Sequence, residues 1–286
     1  MAKCGVCFRH CEIPEGGTGF CFARGCRQGR VVPQNYGLLT SLALDPIEKK
    51  PLMRFRPGSK ILSLGSWGCN LRCPFCQNHE ISWSAEAASW GERARRATPE
   101  ALVEAALDCM SRGNIGLAFT YNEPLIGWEF VRDTAKLSHE AGLVNVLVTN
   151  GTAEIGVLEE LGPVIDAMNI DLKGFTEGYY RRVLGGDLEM VKAFIQRAVQ
   201  LCHVELTTLI VPGENDGPEE MRALAAWVSA LRDGEGRIIG DGVPLHVSRF
   251  FPRFRMTDRA ATPVKTVYAL AEVARERLRY VYTGNC

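Results

Sequence analysis

The chain has no run of 18 or more apolar residues, so no transmembrane helix is expected. It also lacks a charge excess, with 33 Lys and Arg balancing 33 Asp and Glu. A protein built mainly to grip nucleic acid would carry a basic surplus, so that partner class is not expected. The opening Met1-Ala2-Lys3-Cys4 has no apolar stretch of the kind a secretory signal needs, which predicts a cytoplasmic protein. Internal repeats and low-complexity tracts are missing too. What is left is a globular composition: 286 residues, 46% hydrophobic. That is enough chain for one large α/β unit and for a core that needs no disulfide staples.

One residue type is abundant. Of 11 cysteines, five fall in the first 26 residues (Cys4, Cys7, Cys11, Cys21, Cys26) and three in one eight-residue window (Cys69, Cys73, Cys76). In a reducing compartment, clustered thiols hold metals more often than they pair as disulfides. Cys109 and Cys202 read as small buried hydrophobes, and Cys286 carries no reading.

Residues 1–45 read as a separate Cys-rich metal-binding segment. Pro14, Pro33 and Gly16-Gly17-Thr18-Gly19 interrupt them, and they carry little core-forming pattern. Such a segment depends on a metal or on docking to the body. The first 60 residues hold ten Lys or Arg against four Asp or Glu. A solvated basic face accounts for this, and a docking site for an acidic protein is the rival reading.

In residues 46–286, short apolar runs alternate with helical patterns. Strands are expected at 61–64, 115–119, 144–148, 165–170, 204–210, 245–247 and 280–282. Thr98-Pro99 and Thr262-Pro263 read as helix starts, Thr capping and Pro fitting the first turn. Gly113 and Gly142 stand where helices need a left-handed terminator. The alternation predicts parallel βα units with right-handed crossovers, closed into a partial or full barrel. Chemistry in such folds gathers at the C-terminal ends of the strands.

The exit loop of the first strand contains Cys69-x3-Cys73-x2-Cys76. A structural zinc site wants four ligands and so does an ordinary [4Fe-4S] cluster. Three thiolates leave one iron open to a small molecule. Cys4, Cys7, Cys11 and Cys21 can instead close a four-ligand site, either zinc or an auxiliary cluster. Zinc is slightly favoured, because a core-poor segment gains folding free energy from a closed metal site. Cys26 is an alternate ligand. Other strand exits carry Thr120-Tyr121-Asn122-Glu123-Pro124, Thr149-Asn150-Gly151, Asp171-Leu172-Lys173, and His246 with Arg249. Each has a plain structural reading as well: Asp171 and Lys173 as an ion pair, Asn150 as a turn residue, His246 as a satisfied core histidine.

The three-cysteine loop, together with Glu123-Pro124, resembles the signature of the radical S-adenosylmethionine (SAM) superfamily. The resemblance implies a partial (β/α)6 barrel with a small Cys-rich N-terminal extension. It makes Cys69, Cys73 and Cys76 ligands of a [4Fe-4S] cluster and puts Phe75 beside the adenine of SAM. Thr120, Tyr121, Asn122 and Glu123 would hold the methionine end, with Tyr121-Asn122 standing where the family has two glycines. Asn150, Asp171, Lys173 and His246 would be further SAM contacts.

A narrower resemblance rests on Cys4-x2-Cys7-x3-Cys11-x9-Cys21, Asp45-Pro46-Ile47-Glu48-Lys49-Lys50-Pro51-Leu52, Cys76-Gln77-Asn78 and Asn169-Ile170-Asp171-Leu172-Lys173-Gly174. These are similar to the AmmeMemoRadiSam-system radical SAM enzymes, which are often labelled pyruvate formate-lyase activating enzyme-like. Those relatives commonly continue into a Cys-x-x-Cys tail, whereas this chain stops at Thr283-Gly284-Asn285-Cys286, so any function of that tail is expected to be missing. The resemblance implies reductive cleavage of SAM and hydrogen abstraction from a protein or peptide substrate, with an electron donor such as flavodoxin or ferredoxin. The alternatives are a small-metabolite substrate and a zinc or iron-sulfur protein for binding or electron transfer.

Overall fold

The computed structural model describes residues 1–286. Apolar runs too short for buried helices become strands: β1 (Ser41–Pro46), β2 (Lys60–Gly65), β3 (Asn114–Phe119), β4 (Val144–Thr149), β5 (Ala167–Asp171), β6 (His203–Ile210), β7 (Leu245–Arg249) and β8 (Val281–Gly284). They pair in sequence order in one eight-stranded sheet. From β2 to β8 every pairing is parallel, while β1 lies antiparallel on β2. Since β8 and β1 do not pair, the barrel stays partly open.

One helix crosses over between each successive pair of parallel strands: α1 (Pro99–Asp108), α2 (Trp128–Glu140), α3 (Ile155–Leu161), α4 (Leu188–Ala198), α5 (Pro218–Ser229) and α6 (Val264–Arg275). The result is the expected α/β architecture of six βα units. Each helix buries one stripe against the sheet. In α4 that stripe is Leu188, Val191, Phe194, Ile195 and Ala198, spaced three and four apart. Full burial of a side chain such as Phe194 is worth about 1.5–3 kcal/mol.

The two expected Thr caps differ. Thr98 accepts a hydrogen bond from the Ala101 N–H and caps α1, followed by Pro99. Thr262 does not cap α6: its hydroxyl donates 2.6 Å to the Ile210 carbonyl at the end of β6. Burial explains the difference, because Thr262 is fully enclosed and its hydroxyl satisfies a strand carbonyl there. Gly113 and Gly142 adopt the left-handed conformation expected of them, with φ of 90° and 76°.

Side chains alternate between the helix-covered face and the barrel interior. Ile47, Leu52, Ile61, Ala118, Val146 and Ala167 form a separate apolar cluster. Beside it the backbone of 51–54 is tied to inward-facing side chains. Asn169 donates to the Pro51 carbonyl, and Glu205 accepts from the Met53 and Arg54 N–H groups. One end of the barrel is thereby filled.

The sheet's first strand, β1, begins ahead of residue 46, where the body was expected to start. Residues before it form short ribbons, Ala2–Lys3 with Glu12–Ile13 and Arg24–Arg27 with Arg30–Pro33. The segment is docked: Cys4, Val6, Ile13 and Cys26 belong to the main apolar core. Glu154 donates its N–H to the Val6 carbonyl, and Arg24 pairs with Glu129 at 2.6 Å.

Candidate functional site

The loop after β2 carries Cys69, Cys73 and Cys76, held from several sides. Gly68 precedes them with φ 94°; a Cβ there would stand 2.4 Å from the Cys21 carbonyl, so only glycine lets the two segments touch. Arg72 donates to the Cys69 and Leu71 carbonyls at 2.8 Å, and its N–H reaches the Leu184 carbonyl. Trp83 donates its indole N–H to the Cys73 carbonyl at 3.2 Å. Asn122 braces the start of the loop, accepting from the Ser66 N–H and donating to the Trp67 carbonyl.

These thiols open on a cavity of about 370 Å³, in the size range of small-molecule sites. Phe75, Thr120, Tyr121, Asn122, Glu123, Asn150, Asp171 and Lys173 wall the same cavity. Four strand exits thus converge on it, from β2, β3, β4 and β5. Phe75 meets Phe250 edge-on at 6.1 Å.

Glu123 is buried and accepts from three donors: the Thr149 hydroxyl at 2.6 Å, the Asn150 N–H at 2.8 Å and the Leu125 N–H at 3.1 Å. Burial pushes its carboxyl up to about 7 against the pull of those bonds. A carboxylate has about four lone-pair positions, so capacity for a cation remains. Lys173 pairs with Asp171 at 2.7 Å. Burial alone would lower the Lys173 ammonium's pKa, yet the Asp171 carboxylate and the nearby Cys73 hold it above its ordinary value. Asn150 donates to Asn70 at 2.9 Å and reaches the Cys69 sulfur at 3.7 Å.

Tyr121 occupies a left-handed position, φ 73°, that usually suits glycine. Its hydroxyl donates 2.7 Å to Asp45, which also pairs with buried Lys50 at 2.8 Å. The Lys50 ammonium lies 4.8 Å over the tyrosine ring. Two residues of the 45–52 motif thus hold the backbone that departs from the two-glycine pattern.

His246 does not line the cavity. Its Nε2 sits 2.7 Å from Glu205, and its ring stacks on Tyr282 at 5.3 Å. Ser248, two residues on and on the same face of β7, does reach the cavity, as does Thr207, the register partner of His246 on β6. The partners of His246 are those of a satisfied core histidine. The Cys26 thiol points to Glu15 at 3.5 Å, and Cys26 does not wall the cavity shared by Cys4, Cys7, Cys11 and Cys21. Cys109 and Cys202 are half-buried, short of the full burial expected.

Several site residues went unrecognised in the sequence. The sequence assigns no role to Asn70, Thr207, Ser248 and Arg253, and Asp45 stands in a motif without a role of its own. The inward-facing residues Thr207 and Ser248 follow from strand register: Glu205, Thr207 and Leu209 share one face of β6.

Burial pushes all three loop thiols up, Cys73 to about 12 even with Lys173 opposing it. Thiols in this state remain protonated until a metal displaces the proton. No three of these side chains converge on a point where one ion could bind them all. Thiols that each meet a different iron have no need to converge, so the arrangement is compatible with a multi-iron cluster. The three-thiol loop, the cavity and the polar wall form a βα-barrel site with donors able to hold a cofactor beside three thiols.

Comparison with known proteins places the class. The radical SAM superfamily model matches residues 66–227, and the chain belongs to that superfamily. Membership implies a [4Fe-4S] cluster and SAM. An uncharacterized protein of Methanocaldococcus jannaschii is 41% identical over 99% of this chain and 81% of its own length. A pyruvate formate-lyase-activating enzyme of Clostridium pasteurianum is 27% identical over 59% of this chain and 69% of that enzyme. Among solved structures, Streptococcus suis SuiB bound to S-adenosylmethionine shares the fold, with TM-score 0.56 and 14% identity over 79% of this chain and 52% of that one.

Proposed function

We propose that the protein cleaves SAM reductively at the Cys69, Cys73 and Cys76 site and abstracts hydrogen from a protein or peptide substrate, as an activating-enzyme-like catalyst. The observation that carries this reading is the shared cavity: three thiols and the polar exits of β3, β4 and β5 face one space. A [4Fe-4S] cluster held there would supply the single electron needed for reductive cleavage of SAM.

The chain's own residues position and shield. Cys69, Cys73 and Cys76 would hold the cluster and, being only three ligands, would leave it able to bind SAM. Glu123 accepts from the ammonium, and the positive charge offsets the burial that raises this carboxyl. Thr120, Tyr121 and Asn122 present backbone to the methionine end. Asn150 fixes the cysteine loop and faces the same ligand. Lys173 binds a carboxylate or ribose oxygen while Asp171 keeps it oriented. Phe75 packs against the adenine. Arg249, Phe251 and Arg253 line the same cavity, where they would meet the substrate.

Support for a polypeptide substrate comes from the relatives named as pyruvate formate-lyase activating enzymes, at 25–27% identity. The test is stimulation of 5′-deoxyadenosine formation by a lysate of cells that carry the protein. The macromolecular fraction should stimulate, and protease treatment should remove the effect. Stimulation by the low-molecular-weight fraction alone would overturn the polypeptide reading.

A further inference from the structure

Of the eight cysteines outside that chemistry, four stand together. The ribbon that pairs Ala2–Lys3 with Glu12–Ile13, closed by the Cys4 N–H to the Cys11 carbonyl at 2.8 Å, brings those two residues opposite each other. Cys7 and Cys21 join them around one small enclosed cavity, together with Ile13, Ile126 and Asn70. Three of the four are buried and Cys11 is half-buried. They do not converge on a single-ion position, and in this they match the Cys69, Cys73 and Cys76 set.

The case for a structural zinc was that this segment lacks a core. In the folded protein it has one. Cys4, Val6, Ile13 and Cys26 are packed into the main core, and Arg24 is anchored on Glu129 and the Ile126 carbonyl. A folding staple is not what the segment is short of.

Its location suggests a different use. The Cys21 carbonyl abuts Gly68. Asn70 walls the four-cysteine cavity, lies against Cys7, and is bonded covalently to Cys69. Asn150 then spans Asn70 and the Cys69 sulfur, while Arg9 donates to the Asn70 carbonyl at 2.7 Å. The two thiol groups stand back to back with one residue between them.

We propose that Cys4, Cys7, Cys11 and Cys21 hold a second [4Fe-4S] cluster, closed by four thiolates, that relays single electrons to the SAM-binding cluster across Asn70. The relay rests on the function proposed above, whereas the second cluster does not. A reduced one-electron carrier protein gives up one electron and takes the four-thiolate core from charge 2+ to 1+. Transfer to the three-thiolate site returns that core to 2+, and no atom moves.

The first test is elemental analysis after anaerobic reconstitution with iron and sulfide. The wild-type chain should hold about eight irons (two four-iron cores) and no zinc. The Cys69→Ala/Cys73→Ala/Cys76→Ala variant should keep about four, with a reduced-state electron paramagnetic resonance signal that SAM does not alter. One zinc per chain, or about four irons in the wild type and none in the triple variant, would overturn the second cluster. These counts do not depend on SAM being cleaved, so their failure would leave the SAM reading standing.

The second test uses Cys7→Ser/Cys21→Ser, with circular dichroism and the retained SAM-site signal confirming its fold. Reduction of that site by reduced flavodoxin should slow at least tenfold, while reduction by dithionite stays near the wild-type rate. Equal slowing with both reductants, or none with flavodoxin, would overturn the relay.

Discussion

At the scale of single residues, Glu205 carries more than its place in the sequence suggested. It is wholly enclosed and binds His203, His246 and two backbone N–H groups. Burial would raise its carboxyl, but the hydrogen bonds to His203 and His246 and to the 53–54 backbone outweigh that and hold it at about 2. A carboxyl depressed in the folded state adds stability above its unfolded pKa, and loses it as pH falls through the folded value. Glu205→Gln should therefore cost about 2 kcal/mol near neutral pH, with the difference shrinking between about pH 5 and pH 2. Urea unfolding across that range measures it, and a difference constant with pH would refute the assignment. His246 shows what was illegible: a lone histidine near a strand exit fits a ligand or a core role equally. Its contacts with Glu205 and Tyr282 exist only in the fold.

At the scale of elements, apolar period and punctuation were enough to locate all seven parallel strands, since continuous buried runs between helices have few other uses. They failed at β1. Its Ser-Leu-Ala-Leu-Asp-Pro is half exposed, pairs antiparallel at an edge, and follows a segment with no pattern. Capping shows the same divide. Thr98 and Thr262 stand in the same Thr-Pro context, and only tertiary contact distinguishes them. Thr98→Ala should cost about 1 kcal/mol through a lost cap. Thr262→Ala should cost more, about 1–3 kcal/mol, because the buried Ile210 carbonyl loses its donor. Equal, negligible effects in denaturant unfolding would contradict both.

At the scale of the molecule, the cysteine spacing, the strand exits and Glu123-Pro124 were enough to mark the site, because ligand number and loop position are local properties. The mutual placement of the two cysteine groups was not legible, since it depends on Gly68 touching Cys21 and on docking of the first 40 residues. That docking leans on Arg24 and Glu129. Arg24→Ala leaves a partly enclosed carboxylate unpaired and should cost about 2–3 kcal/mol. Limited proteolysis should then cut within the N-terminal segment faster than in the wild type; an unchanged rate would mean the apolar contacts suffice.

The central claim is that Cys69, Cys73 and Cys76 serve SAM cleavage. The most direct measurement is 5′-deoxyadenosine formed from SAM by the anaerobically reconstituted, dithionite-reduced protein, beside its Cys73→Ala variant. The wild type should produce 5′-deoxyadenosine and methionine in equal amounts, and the variant none. An intact cluster that yields no 5′-deoxyadenosine, or a variant that matches the wild type, would contradict the account.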